Sequence, residues 1–115
     1  MTEVTQDHKD AQIAANRLDY DAKYNSLTVE LDCKTYQASP QSIEQMVRNL
    51  SLTSLPDGFF WVDLSNTKVT FDRAALQNLA DTSIAARFDL YSSFQDRRDA
   101  INAATTFEEL EKLKD

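Results

Sequence analysis

The sequence has very few of the residues that build most catalytic and metal sites. Its 115 residues include one glycine, one cysteine and one histidine. One cysteine excludes an internal disulfide and, with one histidine, a four-ligand zinc site. One glycine cannot build a phosphate-cradling loop. His8 lies in a polar N-terminal segment, so a nucleophile would have no well-placed base. The sequence therefore predicts no enzymatic activity, no metal and no cofactor.

Long apolar runs and clusters of basic residues are also missing. No stretch approaches the roughly 18 apolar residues of a membrane span, and "MTEVTQDHKDAQ" does not have the apolar run of a secretory signal. The formal net charge is −7, and the densest basic pair, Arg97-Arg98, is flanked by Asp96 and Asp99. We therefore expect binding neither to nucleic acid nor to a membrane. The single cysteine fits a reducing cytoplasm.

Two pairs of short apolar runs predict β-hairpins. In "NSLTVELD" apolar residues alternate with polar ones, which is typical of a half-buried strand, and "CKTYQA" follows directly. Asp32-Cys33 lies at the expected turn, where a positive φ would suit glycine better than Cys33. "FFWVDL" and "KVTF" predict a second hairpin around Ser65–Thr67. We predict that the two hairpins form one small antiparallel sheet.

Helices are predicted on both sides of the second hairpin. Ser39 and Pro40 suit the N-cap and the first position of a short helix over 40–51. A long C-terminal helix is predicted after Asp72, because neither proline nor glycine occurs from Arg73 to Ala104. A short terminal helix is predicted to start with a capping box, in which Thr105 and Glu108 bond reciprocally.

These elements together predict an α+β fold, with a sheet of two hairpins packed against a short helix and a long C-terminal helix. Residues 1–15 are predicted to be a flexible arm, with room for a helical turn in "DAQIAAN", because "MTEVTQDHKDAQ" is polar and acidic with no apolar run. Residues 16–115 are predicted to form a single α+β domain, since the chain is too short for two ordinary cores.

An aromatic cluster in "GFFWVDLSN" is the most conspicuous candidate site. Phe59 and Trp61 share one face of their strand and Phe60 shares the other with Val62. We expect both faces to be covered, which would make the cluster part of the core. The alternative is a partly exposed patch that binds protein. The long helix adds a wide apolar stripe with Arg87 near its middle. If the chain has a protein interface, the predicted residues are Phe60, Trp61, Arg87, Phe88, Tyr91 and Phe94.

The order of these motifs resembles a domain family of unknown function found in bacteriophage tail-region proteins, many of them labelled tail-fibre assembly proteins. The resemblance is carried by "LTVELDCKTYQA", "GFFWVDLSN", "VTFDRAALQNL" and, best preserved, "RRDAINAATTFEEL". Cys33 replaces the glycine that the family has in the first hairpin. The usual acidic residue before Leu76 is missing. The family brings no catalytic residues to this chain.

The resemblance implies a phage protein that acts near the tail fibre or baseplate, with one of those proteins as its partner. The first expectation is a non-enzymatic assembly factor in the host cytoplasm that holds apolar fibre surface until the fibre assembles. The second is a structural component retained in the virion tail. A third hypothesis, from the acidic charge, is an inhibitor that binds a host protein. A homo-oligomer is left open.

Overall fold

The computed structural model describes residues 5–113 and has an α+β architecture, which confirms the predicted fold class. In chain order the described elements are α1 (Gln6–Asn25), β1 (Thr28–Leu31), β2 (Lys34–Gln37), α2 (Pro40–Leu50), β3 (Phe60–Val62), β4 (Lys68–Thr70), α3 (Arg73–Ala103) and α4 (Phe107–Glu111). The predicted long C-terminal helix is therefore present as α3, which has 31 residues.

The chain divides into two compact units. The hairpin unit is Tyr24–Phe88. The helical unit comprises the described residues up to Lys23 and from Asp89 onward. Helix α3 contributes its first half to the hairpin unit and its second half to the helical unit. That residues 16–115 form a single domain stays a prediction.

The two hairpins form two separate two-stranded antiparallel sheets among the described residues, whereas a single sheet was predicted. In the first, Val29 pairs with Tyr36. Its turn holds Asp32 at φ 51° and Cys33 at φ 63°, so the predicted positive φ is present at Cys33. One backbone hydrogen bond, from Leu64 N to Thr35 O at 2.7 Å, joins the hairpins. Among the described residues this is the one backbone hydrogen bond between the hairpins, and they do not share a ladder.

The core of the hairpin unit lies between the hairpins, α2 and the first turns of α3. Its buried apolar residues are Val29, Tyr36, Ala38, Met46, Phe71, Leu76, Leu79 and Ala80. Full burial of a valine, leucine, methionine or phenylalanine side chain stabilises a fold by about 1.5–3 kcal/mol. Both predicted helix starts are confirmed. Ser39 Oγ accepts from Ser42 N, and Asp72 Oδ1 accepts from Ala75 N at 2.7 Å.

Helix α1 differs from the predicted flexible arm, because residues 6–15 are helical and the predicted boundary at residue 15 lies inside the helix. The buried positions of α1 are Gln12, Asn16 and Tyr20, while Leu18 is 71% exposed. A helix with amides on its inward side lacks the apolar periodicity by which amphipathic helices are recognised. Residues 1–4 of the predicted arm lie outside the described residues.

The capping box of α4 lies one residue later than predicted. Thr106 is the N-cap and accepts from Glu109 N at 3.2 Å. Glu109 Oε1 reaches back to Thr105, accepting from its hydroxyl at 2.8 Å and from its backbone N–H at 3.4 Å. The segment "TTFEEL" has adjacent threonines and adjacent glutamates, so two registers satisfy the same pattern. Burial of Leu110 beside Ile101 and Ala104 accompanies the observed register.

Candidate protein-binding surface

The outer face of β3 carries an exposed apolar row. Phe60 and Val62 are 43% and 37% exposed, and Leu64, just beyond the strand, is 53% exposed. Trp61 lies between them on the inward face and packs against the core together with Phe59. The expectation that both faces of this strand are covered is therefore wrong for the Phe60 face. Exposed apolar side chains that lie together are a feature of protein-interaction sites.

Beside this row, β3 has an edge that no other strand in the described part of the chain occupies. The register pairs Phe60 with Thr70 and Val62 with Lys68. The bonds from Phe71 N to Phe59 O and from Asp63 N to Thr67 O show that the odd-numbered residues of β3 bond to β4. In an antiparallel ladder the intervening residues point their N–H and C=O groups outward. Among the described residues, the outward groups of Phe60 and Val62 have no backbone partner.

A groove of about 460 Å³ runs along this edge. One wall is the β3 segment from Phe60 to Leu64, and the other is formed by Gln37, Ser42 and Gln45. The hydrogen bond from Leu64 to Thr35 closes one end. Lys68 Nζ lies 4.8 Å from the centre of the Phe60 ring and partly screens it. We call this apolar row, open edge and adjoining groove the β3 groove.

The β3 groove can accept an extended peptide. Exposed backbone donors and acceptors on a strand edge pair with a further strand, while pockets beside the edge select alternate side chains. The groove supplies both features, and its far wall adds two glutamine side chains that can donate and accept. The charged residue that lines the groove is Asp63, directly after β3, whose Oδ1 accepts from Thr67 N at 2.9 Å.

The other predicted interface residues divide between the two units. In the hairpin unit Phe88 is 62% exposed, and Ile84, one turn earlier on α3, is 43% exposed. Arg87 is half-buried, with its guanidinium carbon 5.5 Å from the centre of the Tyr24 ring. This contact combines cation–π attraction with packing of the arginine stem.

In the helical unit, Tyr91 is 37% exposed and Phe94 only 7% exposed. The Phe94 ring stacks on Tyr20 with centroids 4.8 Å apart, and Tyr91 meets Tyr20 edge-on at 5.9 Å. The structure therefore places Phe94 in the interior of this unit rather than on a surface. A role in binding stays a prediction for Phe60, Trp61, Arg87, Phe88 and Tyr91.

Val62 and Leu64 are the surface residues that the sequence reasoning did not single out. The signal was available, because Phe60, Val62 and Leu64 alternate at period two. It was missed because the run "FFWVDL" is apolar on both sides of the strand, and apolar residues on both sides are typical of a strand buried on both faces.

The described residues hold no group of three or more histidine, cysteine, aspartate or glutamate side chains arranged to bind a metal ion. No helix within residues 5–113 is both long and apolar enough to cross a membrane.

Comparison with known proteins gives the chain a family. Neither a curated protein nor a solved structure matches it. Residues 4–113 match DUF4376, a domain of unknown function. The match includes α1 and the capped α4 as well as both hairpins, so it covers each of the described elements. The chain therefore belongs to the DUF4376 family.

Proposed function

We propose that this chain is a non-enzymatic protein-binding domain that acts as an assembly factor for a phage tail fibre. The observation that carries the binding part is the β3 groove, where unpaired backbone groups of Phe60 and Val62 lie beside an exposed apolar row. An edge of this kind favours the addition of a strand from another polypeptide.

Strand addition suits a factor that holds a fibre protein before it assembles. Main-chain hydrogen bonds to β3 would provide affinity for many sequences, and the exposed row from Phe60 to Leu64 would select apolar side chains at alternate positions. The net charge of −7 keeps such a domain soluble while it presents an apolar surface.

The phage setting is supported by the resemblance of "RRDAINAATTFEEL" and the preceding motifs to tail-region proteins.

A retained structural component of the virion and an inhibitor of a host protein are the other outcomes of the test. Mass spectrometry of purified particles separates them. An assembly factor is expected in lysates bound to fibre protein and absent from particles. A fixed copy number in the particle would instead assign it to the virion, and absence of the fibre complex would favour the host partner.

The binding part is tested by co-expressing the chain with the tail-fibre protein of the same phage and measuring the affinity of the complex. Phe60→Ser is expected to weaken binding about tenfold or more, because a central aromatic residue is removed. The matched variant Phe88→Ser, at an exposed phenylalanine of α3 that does not line the β3 groove, is expected to weaken binding less than Phe60→Ser. The opposite pattern would move the interface to α3.

The edge itself is tested by proline. Val62→Pro removes an outward N–H that β4 does not use, and it is expected to weaken the complex while leaving the hairpin paired. Thr70→Pro removes the equivalent outward N–H on β4 and serves as the control. Equal affinities for both proline variants and the unaltered chain would exclude strand addition at β3.

A further inference from the structure

The helical unit contains a second cleft, which shares no residue with the β3 groove. It has a volume of about 490 Å³ and lies between α1, α4 and the second half of α3. Its walls are mainly apolar and include Ala11, Ala15, Phe107, Leu110 and Leu113. His8 and Phe107 meet edge-on at one end, with ring centroids 4.7 Å apart. We call this feature the α1 cleft.

The polar part of the α1 cleft is formed by two buried amides. Gln12 and Asn16 are 9% and 6% exposed and lie one turn apart on α1. Gln12 Nε2 donates to Leu110 O at 2.7 Å, and Asn16 Nδ2 donates to Phe94 O at 3.1 Å. Because each amide donates through its nitrogen, its side-chain oxygen takes no part in these bonds. Among the described residues, no donor bonds to either oxygen, although both residues line the cleft.

Both oxygens are accessible from the cleft rather than fully buried, so a ligand that enters it can donate a hydrogen bond to them. Of the charged side chains that line the cleft, Asp19 and Arg97 are paired with each other, and Glu111 lies beside Leu110. Asp19 meets Lys23 at 2.9 Å and Arg97 at 3.9 Å. Because its walls are mainly apolar and two amide oxygens open onto it, the cleft favours a group with an apolar body and a donor at its tip, a description that tryptophan and tyrosine fit.

We propose that the α1 cleft binds a tryptophan or tyrosine side chain of a partner polypeptide, with the ring against Phe107 and Leu110 and its N–H or O–H donated to Gln12 or Asn16. The volume lies within the roughly 300–1,000 Å³ of ligand pockets, so it admits the ring with its neighbouring backbone. The polypeptide source rests on the proposed function, whereas the requirement for a donor-bearing ring does not.

The proposal is tested by titrating the isotope-labelled chain with acetyl-Ala-Trp-Ala-amide and following backbone amide shifts by NMR. Saturable shifts are expected at cleft residues. The same peptide with 1-methyltryptophan has no ring donor and is expected to bind about fivefold more weakly, as for the loss of a neutral hydrogen bond. Equal affinity of the two peptides, or shifts confined to other residues, would overturn the proposal.

Two substitutions and a second ligand distinguish binding in the α1 cleft from binding elsewhere and from binding of a free small molecule. Ala15→Leu fills the cleft from an exposed position and is expected to weaken peptide binding at least tenfold. Ala14→Leu, the neighbouring exposed alanine that does not line the cleft, is expected to have no effect. Unchanged binding by Ala15→Leu would exclude the site. Free indole that binds as tightly as the peptide would overturn the polypeptide source, and the β3 groove could still bind a fibre protein.

Discussion

At the scale of single residues, the turns hold the clearest local strain. Asp32, Cys33 and Asn66 have positive φ without being glycine. Asparagine and aspartate tolerate this region better than other residues, because their short polar side chains can hydrogen-bond locally. Cysteine has no such compensation, so Cys33 is the residue whose substitution should be most informative.

Replacing Cys33 with glycine is expected to stabilise the chain by about 0.5–1 kcal/mol. Glycine removes the steric cost of a Cβ at positive φ. The greater conformational entropy of glycine in the unfolded chain offsets only part of that gain. Urea unfolding monitored by circular dichroism measures the change. Cys33→Ser keeps the Cβ but removes the thiol, so it is expected to leave the midpoint unchanged. A midpoint for Cys33→Gly at or below that of Cys33→Ser would contradict the account.

At the scale of elements, the two terminal helices are held by different kinds of contact. Helix α4 has only five residues, so it depends on its capping box for stability. Hydrogen bonds from the side chain and then the backbone of Thr105 lower the pKa of the Glu109 carboxyl from its ordinary value of 4.5. Helix α1 is long, and its inward residues include two amides rather than an apolar stripe.

The capping box predicts a pH dependence. Because the pKa of Glu109 is lower in the folded chain than in the unfolded one, its carboxylate contributes stability that is complete above about pH 4.5 and is lost as pH falls through the folded value. Glu109→Gln is therefore expected to be less stable than the unaltered chain at pH 7, with a difference that narrows in acid.

Urea midpoints measured between pH 7 and pH 3 provide the readout. Glu108→Gln is the matched control, because it removes the neighbouring charge while leaving the bonds that the Glu109 carboxylate accepts from Thr105 and Thr106 in place. A difference between Glu109→Gln and the unaltered chain that stays constant across this range would show that the carboxylate charge does not stabilise the cap.

At the scale of the whole molecule, local rules predicted the hairpin unit well and the helical unit poorly. Turns and caps at Cys33, Ser39 and Asp72 depend on a few neighbouring residues, so their chemistry is visible in the sequence. The inward amides Gln12 and Asn16 bond to carbonyls that are 98 and 78 residues away. No periodicity records such long-range bonds, which is why α1 and its cleft were not predicted.

The candidate surface shows the same division. The sequence pointed to Phe60 as a candidate. The open edge beside it, however, depends on the distance between the two hairpins beyond the hydrogen bond from Leu64 to Thr35. The spacing between two short hairpins is set by tertiary packing of α2 and α3 rather than by strand propensity. The sequence could therefore suggest the residue but not the groove.

The most direct test of strand addition at β3 is amide hydrogen exchange by NMR, with and without the tail-fibre protein of the same phage. In the free chain, the outward amides of Phe60 and Val62 are expected to exchange quickly, and that of Trp61, paired with β4, slowly. In the complex, Phe60 and Val62 should become protected. Unchanged exchange at both residues, or new protection confined to α3 around Phe88, would contradict the account.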